Sequence, residues 1–378
     1  MDSAAAIGYC APMLTDPVDT RAIRRALVIK LRHHGDVLLT TPVFQALQNH
    51  IPGIEVDALV YAETEPMLAL HPAVAQIHTI DRRWRHWPLW PKVRAEVGLW
   101  RQLRARRYDL LVQLTEHPRG AWLARILGAR YAVARRYPGR RGRAWRRSFT
   151  HLYDIPAHPR HTVETHLDAL RRIGIRVTPE DRALSLVPGA DATKQVAALL
   201  AARGLPDGGR FVLLHPTSRW MFKSWPETHT RALLERLLAA GHRVAVSCGP
   251  ADEERAANAR LVAGLEHVVD LSGQLTLKEL AALIARAQVL VSVDSAPMHM
   301  AAALGTPVVA LFGPSGEDEW GPWQVEARVL ASQHSCRPCH LAGCADGQVS
   351  DCLGAISVDR TYDAVLELLQ RRADARGR

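Results

Sequence analysis

Nowhere in these 378 residues does an uninterrupted apolar run approach the ~20 residues that a membrane-crossing helix needs. The opening MDSAAAIGYCAPMLTDPVDT has no basic start ahead of an apolar core, so it does not read as a secretory signal. Residues 1–23 are therefore expected to be a loose extension of a cytoplasmic protein. Short-period repeats and low-complexity tracts are missing, which excludes solenoid and fibrous designs. Cysteine is scarce, six in all, so a disulfide-built scaffold is not expected in a reducing compartment. The zincin motif is absent too. In HTVETH the two histidines, His161 and His166, stand five apart with no Glu after the first, and on a helix they diverge by roughly 140°.

What is there is a chain long enough for two domains, with a hydrophobic content of 48% to fill their cores. Arginine drives a formal net charge of +10 and a pI ≈ 9.7. Such a balance points to anionic partners: nucleic acid, an acidic membrane surface or a phosphorylated substrate. Short apolar runs alternate with helical patterns. They are ALVIKL, IEVDALVY, VAQIHTI and DLLVQL in the first half, then FVLLHP, RVAVSCGP, HVVDLSG, QVLVSVDS and TPVVALFG. This alternation predicts an α/β protein with one parallel, Rossmann-like sheet in each half and a cleft between them. The expected domains are residues 24–183 and 184–358, followed by a terminal helix over 359–378. The stretch Tyr137–Phe149, rich in Arg and Gly, reads as an exposed loop.

Chemistry-bearing residues gather where strands hand over to helices. In VSVDSAPMHMAAALGTP a buried-looking strand ends in Asp294-Ser295 and His299 follows on a helix. Ligands of open α/β sheets sit beyond the carboxyl ends of strands, where helix N-termini offer unpaired N–H groups to a phosphate. Plain capping by Asp294 or Ser295 fits the same pattern. In GDVLLTTP, Asp36 fits a helix cap or a general base. HPTSRWMFKSWPE offers the hydroxyls of Thr217 and Ser218 and the cations Arg219 and Lys223. That set suits a diphosphate or a solvated basic loop. Asp252, Glu253 and Glu254 read as ordinary acids of a helix's first turn.

Two further clusters carry open readings. Cys336, Cys339, Cys344 and Cys352 share one loop, and the first pair has the spacing of a zinc site. A structural metal and reduced thiols both fit; catalysis does not. Arg130–Arg147, dotted with Tyr131, Tyr137 and Trp145, fits nucleic-acid binding, a docking face for a phosphorylated glycolipid, or a solvated loop.

Taken in order, GDVLLTTP, HPTSRWMFKSWPE, CGPADEERA, the long segment ending VDSAPMHMAAALGTPVVALFGP and the cysteine loop resemble the bacterial ADP-heptose:lipopolysaccharide heptosyltransferases, glycosyltransferase family 9. Within that family the Arg219, Phe222, Lys223 pattern and the Arg-rich first half look most like heptosyltransferase III. The resemblance implies a GT-B fold and inverting transfer from ADP-L-glycero-β-D-manno-heptose. It implies Asp36 as base, Lys223 as a catalytic cation, and Thr217, Ser218, Lys223, Asp294, Ser295, Ala296, Met298 and His299 as donor contacts. No cofactor and no catalytic metal are expected, in keeping with the lack of a DxD-type motif. The expected partners are the ADP-heptose donor, a lipopolysaccharide inner-core or lipid A acceptor and the cytoplasmic face of the anionic inner membrane, with no nucleic acid. Arg140, Arg141, Arg146 and Arg147 are the expected acceptor contacts. In one respect the chain departs from its kin: the acid that would hold the adenosine ribose falls on Ala251.

Overall fold

The computed structural model describes residues 16–376 except 141, 156, 157, 206, 207, 346 and 348. Two parallel sheets dominate it. The first contains β1 (Arg25–Lys30), β2 (Glu55–Tyr61), β3 (Gln76–Ile80), β4 (Leu110–Gln113), β5 (Tyr131–Arg135) and β6 (His151–Tyr153), in the order β3-β2-β1-β4-β5-β6. The second contains β7 (Val212–His215), β8 (Val244–Val246), β9 (Val268–Asp270), β10 (Val289–Val293), β11 (Val308–Phe312) and β12 (Ala327–Ala331), in the order β12-β11-β10-β7-β8-β9. Counted within each half, both follow one doubly wound order. The order reverses between β1 and β4, and again between β7 and β10. Those two crevices, at the strands' carboxyl ends, are where this topology places ligands.

The strands read as continuous apolar runs because helices cover both faces of each sheet. Every residue of β4, β7, β10 and β11 is buried. A Leu such as Leu111 or Leu213, buried completely, contributes about 1.5–3 kcal/mol through removal from water. Local signals set the helix ends. Thr276 and Glu279 form a reciprocal capping box at the start of Leu277–Arg286. Gly305, at φ 69°, closes Ala296–Leu304 in the left-handed conformation that glycine adopts without strain.

Several expectations change on contact with the structure. From Asp16 onward the N-terminal segment is packed down rather than loose. Val18 and Ile23 are buried in the core, and Asp16 pairs with Arg172 at 2.8 Å. Residues 1–15 lie outside the described residues. The stretch Tyr137–Phe149 is not simply an exposed loop: it includes a short helix, Arg143–Arg146, that buries Trp145 against Phe149. β5, inside the Arg-rich stretch, is a buried strand whose arginines stand at its edges. The final helix, Val358–Arg376, is no separate unit. It lies on the helix Glu227–Ala239 and on the second sheet, burying Ala364, Val365 and Leu368.

The halves are tied together at several points. Lys278 Nζ donates to the Ala69 carbonyl at 2.7 Å, reaching from the second half to the first, and to the Val187 carbonyl of its own half at 2.5 Å. His161 stacks on Trp323 at 4.4 Å and donates from Nε2 to the Gly321 carbonyl at 3.0 Å. These contacts set the two crevices face to face.

Candidate active site

Beyond the ends of β1 and β4 opens a polar cleft of about 710 Å³. Lys30, Asp36, Tyr61, Arg82, Arg135 and Arg160 line it from the first half, and Glu319 and Trp320 from the second. Asp36 stands in the first turn of a five-residue helix, His34–Leu38. Its Oδ2 accepts from the His33 backbone N–H at 3.4 Å, so the capping reading is partly right. Its Oδ1 faces Lys30 Nζ at 3.6 Å and Arg32 Nε at 3.9 Å. Burial raises the Asp36 pKa, but Lys30, Arg32, His166 and His33 together lower it further, leaving it below the ordinary carboxylate value. Asp36 is thus ionised at neutrality and borders the open cleft.

Lys30 and His166 line the cleft behind Asp36, a place that the sequence reading did not assign to them. Lys30 is buried, and its ammonium donates to the Leu114 carbonyl (3.2 Å) and to His166 Nε2 (2.9 Å) while facing Asp36. His166 Nδ1 lies 3.0 Å from the Leu39 carbonyl, which can only accept, so the proton is on Nδ1 and the Nε2 lone pair faces Lys30. Burial, then the Lys30 charge, keeps this imidazole neutral by pushing its pKa well down. The arrangement fixes a buried cation behind the carboxylate. One signal was available: a lysine inside the otherwise apolar strand ALVIKL. The histidine carried no local signal for this place.

In the second half, outside that cleft's lining, Lys223 Nζ meets Asp294 Oδ2 at 2.5 Å and lies 5.3 Å from the centre of the Trp220 ring. Arg219 stacks on the same ring and reaches His33 of the first half at 3.0 Å. Asp294 does not act as a helix cap. Neither does Ser295, whose hydroxyl faces the Val293 carbonyl (3.3 Å) and Ser292 Oγ (3.2 Å). The helix Ala296–Leu304 therefore starts without a side-chain cap, and its positive end is open at Ala296. Thr217 Oγ1 donates to Glu254 Oε2 at 3.0 Å, and the same oxygen accepts from the Gly249 N–H at 3.3 Å. Glu254, read as an ordinary first-turn acid, is instead a buried tie between the loops after β7 and β8. Ser218 is buried beside them.

His299 joins the two sides. It is buried, its Nδ1 has no hydrogen-bond partner among the described residues, and its titration feels Asp294, Asp36 and Lys223. Burial lowers its pKa, leaving a neutral ring with an unused polar atom at the meeting point. Met298 does not join the set: its side chain is fully buried in the core, so only its backbone can face a ligand. Gly35 explains the closeness. A Cβ there would come within 2.8 Å of His299 Cδ2. We expect Gly35→Ala to push the halves apart, costing about 1–3 kcal/mol of stability through overpacking. Turnover should fall by about tenfold or more as the two sides lose register. Thermal melting and single-turnover rates check this; unchanged rates would show that the contact is not catalytically tuned.

The remaining expectations fare less well. Arg140 is tied to Glu116 at 3.8 Å, and Arg146 and Arg147 project into solvent, so none of the three lines the cleft. Arg141 lies outside the described residues. The cationic lining comes from Arg32, Arg82, Arg135 and Arg160, which are scattered through the sequence and meet only in three dimensions. Cys336 is exposed and Cys352 buried, and among the described residues no three His, Cys, Asp or Glu side chains converge as a ligand set.

Two doubly wound sheets, with a polar cleft at the switch point of the first, make the GT-B architecture. The comparisons agree. The profile of glycosyltransferase family 9 (heptosyltransferase) matches residues 97–349. Lipopolysaccharide heptosyltransferase 3 of Escherichia coli (strain K12) is 35% identical over 295 residues, 78% of this chain and 83% of that one. Lipopolysaccharide heptosyltransferase 1 of Pseudomonas aeruginosa PAO1 is 32% identical over 328 residues, 85% and 87% of the two chains. Among solved structures, E. coli ADP-heptose lps heptosyltransferase II superposes with a TM-score of 0.72 at 22% identity, covering 92% of this chain and 99% of that one. That likeness speaks for the fold. The chain belongs to glycosyltransferase family 9, the heptosyltransferases.

Proposed function

We propose that the protein transfers L-glycero-D-manno-heptose from ADP-heptose to the inner core of lipopolysaccharide, as a heptosyltransferase III, at the cytoplasmic face of the inner membrane. One observation carries the reading. His299, packed against Gly35, is reached electrostatically by Asp294 and Asp36, then Lys223, so it lies between an ionised carboxylate of the first half and the Lys223–Asp294 pair of the second. The acceptor hydroxyl attacks the anomeric carbon from the face opposite ADP as the bond from that carbon to the diphosphate breaks. Asp36 takes the hydroxyl proton. Lys223 and the helix end at Ala296 stabilise the charge collecting on the departing ADP. A carboxylate of lowered pKa is a weak base, yet it suffices when proton transfer is late and the attacking oxygen is already acidic.

The test is transfer itself: purified protein, ADP-heptose and truncated lipopolysaccharides of defined core length. Thermal shift with ADP, UDP and GDP runs beside it. We expect ADP-selective stabilisation and heptose added to one acceptor length. Preference for UDP or GDP, or no transfer to any core, would overturn the donor or acceptor assignment respectively.

A further inference from the structure

We propose that the face made by the helix Leu89–Ala105 and the turn before it is a docking surface for an anionic lipid bilayer. At 100° per residue, Trp90, Val93, Arg94, Val97, Arg101 and Arg104 share one arc of about 100°. Leu99 and Leu103 lie on the opposite side and are buried in the first domain's core. The outward arc is thus neither core-facing nor conventionally polar. Trp90 is 80% exposed and Leu89 69%, and Trp87, Val93 and Val97 are exposed beside them. On the adjoining helix Pro118–Leu127, Trp122 is 52% exposed.

The charges around this apolar patch identify its occupant. Glu96 is the single acid between Arg82 and Arg107. Both of its oxygens are taken by Arg119 at 2.6 Å. What remains outward is cationic: Arg85, Arg94, Arg101 and Arg104 are exposed, while Arg83 is paired with Asp81 at 2.6 Å. Tryptophan with arginine around an apolar stripe suits a headgroup boundary, where the ring sinks partway and the guanidinium meets phosphate. No helix among the described residues is long and apolar enough to cross a membrane, and this one would lie in the plane.

The patch is also continuous with the cleft. Arg82 begins the turn that leads to Trp87. It lies over the Tyr61 ring at 4.0 Å and pairs with Glu63 at 3.0 Å. Arg82 and Tyr61 both line the cleft, so a bilayer held against Trp90 lies beside the cleft's rim. The purpose, presenting a lipid-borne acceptor, rests on the function proposed above; binding to a bilayer does not.

The experiment is sedimentation of the full chain with vesicles of phosphatidylethanolamine containing one quarter phosphatidylglycerol, and with pure phosphatidylcholine, at low and high salt. The wild type should favour the anionic vesicles, and salt should weaken that preference. Leu89→Ser/Trp90→Ser/Val93→Ser should lower partitioning by about tenfold or more. Arg94→Gln/Arg101→Gln/Arg104→Gln should remove the anionic preference. Both variants should transfer heptose to a delipidated core oligosaccharide at the wild-type rate. A wild type left in the supernatant, or an apolar variant that sediments as well as wild type, overturns the docking face. So does a patch occupied by a second copy, seen as a dimer that Leu89→Ser/Trp90→Ser/Val93→Ser disperses. Failure to use any oligosaccharide would count against the proposed function, while the vesicle result still decides the surface.

Discussion

Replacing Asp36 by Asn should cut heptose transfer by roughly 10²–10⁴-fold while leaving ADP-heptose affinity nearly unchanged, the span expected when a general base is lost. The carboxylate contacts Lys30, Arg32 and the His33 backbone of its own half and borders the cleft. The variant also leaves the Lys30 ammonium buried with no counter-charge, a situation that costs about 3–5 kcal/mol when one partner of a buried pair is removed. Rate and stability therefore need separating. Lys30→Met/Asp36→Asn removes both charges and should regain much of the melting temperature without regaining turnover. If that double variant transferred heptose at a rate near wild type, Asp36 would return to the helix-capping role that its bond to His33 N already shows.

The pH dependence has a definite sign. The folded-state pKa of Asp36 is depressed, so its carboxylate stays ionised as pH falls from neutrality through the ordinary carboxylate range. The stability from its pairing with Lys30 is present above the unfolded-state value, about 3.9, and is lost as pH falls through the lower folded-state value. Single-turnover rates should show no inflection from Asp36 between neutrality and that range.

How much of this was legible in the sequence depended on whether the signal was local. Asp36, Lys223 and Asp294 stand in the segments that follow strand ends, where topology brings ligands, so position plus residue type singled them out as candidates. Lys30 and His166 are joined over 136 residues, and no spacing rule reports such a pair. Glu254 looked like one of three dipole-matching acids. Only the fold shows it turned inward to Thr217 and Gly249. For the arginines a related limit holds: density along the chain does not say which face a cation occupies. Arg140, Arg146 and Arg147 cluster in sequence and are not among the cleft's lining, although Arg140 pairs with Glu116 at its edge, whereas Arg32, Arg82, Arg135 and Arg160 are dispersed and converge. β5 and β6 were hidden by arginine and by brevity. β12 lacks a continuous apolar run: none of its five residues is buried.

Replacing Lys223 by Met should lower turnover by roughly 10²–10³-fold, the usual loss when a preorganised donor to a developing anion is removed. Its ammonium is already positioned before any donor arrives, by Asp294 at 2.5 Å and by the Trp220 ring. Methionine keeps most of the stem's packing and removes only the charge, so a large rate effect with a small change in melting temperature marks an electrostatic role. Asp294 then acts as a positioning residue for Lys223. Asp294→Asn should weaken binding of intact ADP-heptose and lower kcat/KM, because the lysine is no longer aimed. Adding Asp294→Asn to Lys223→Met should do little more, since there is no ammonium left to aim. The measurements are ADP-heptose affinity by calorimetry and single-turnover transfer for both single variants and the double. Effects that multiply in full would separate the two residues and assign Asp294 to the heptose itself. A Lys223→Met enzyme close to wild-type rate would leave the open helix end at Ala296 as the support for the departing diphosphate.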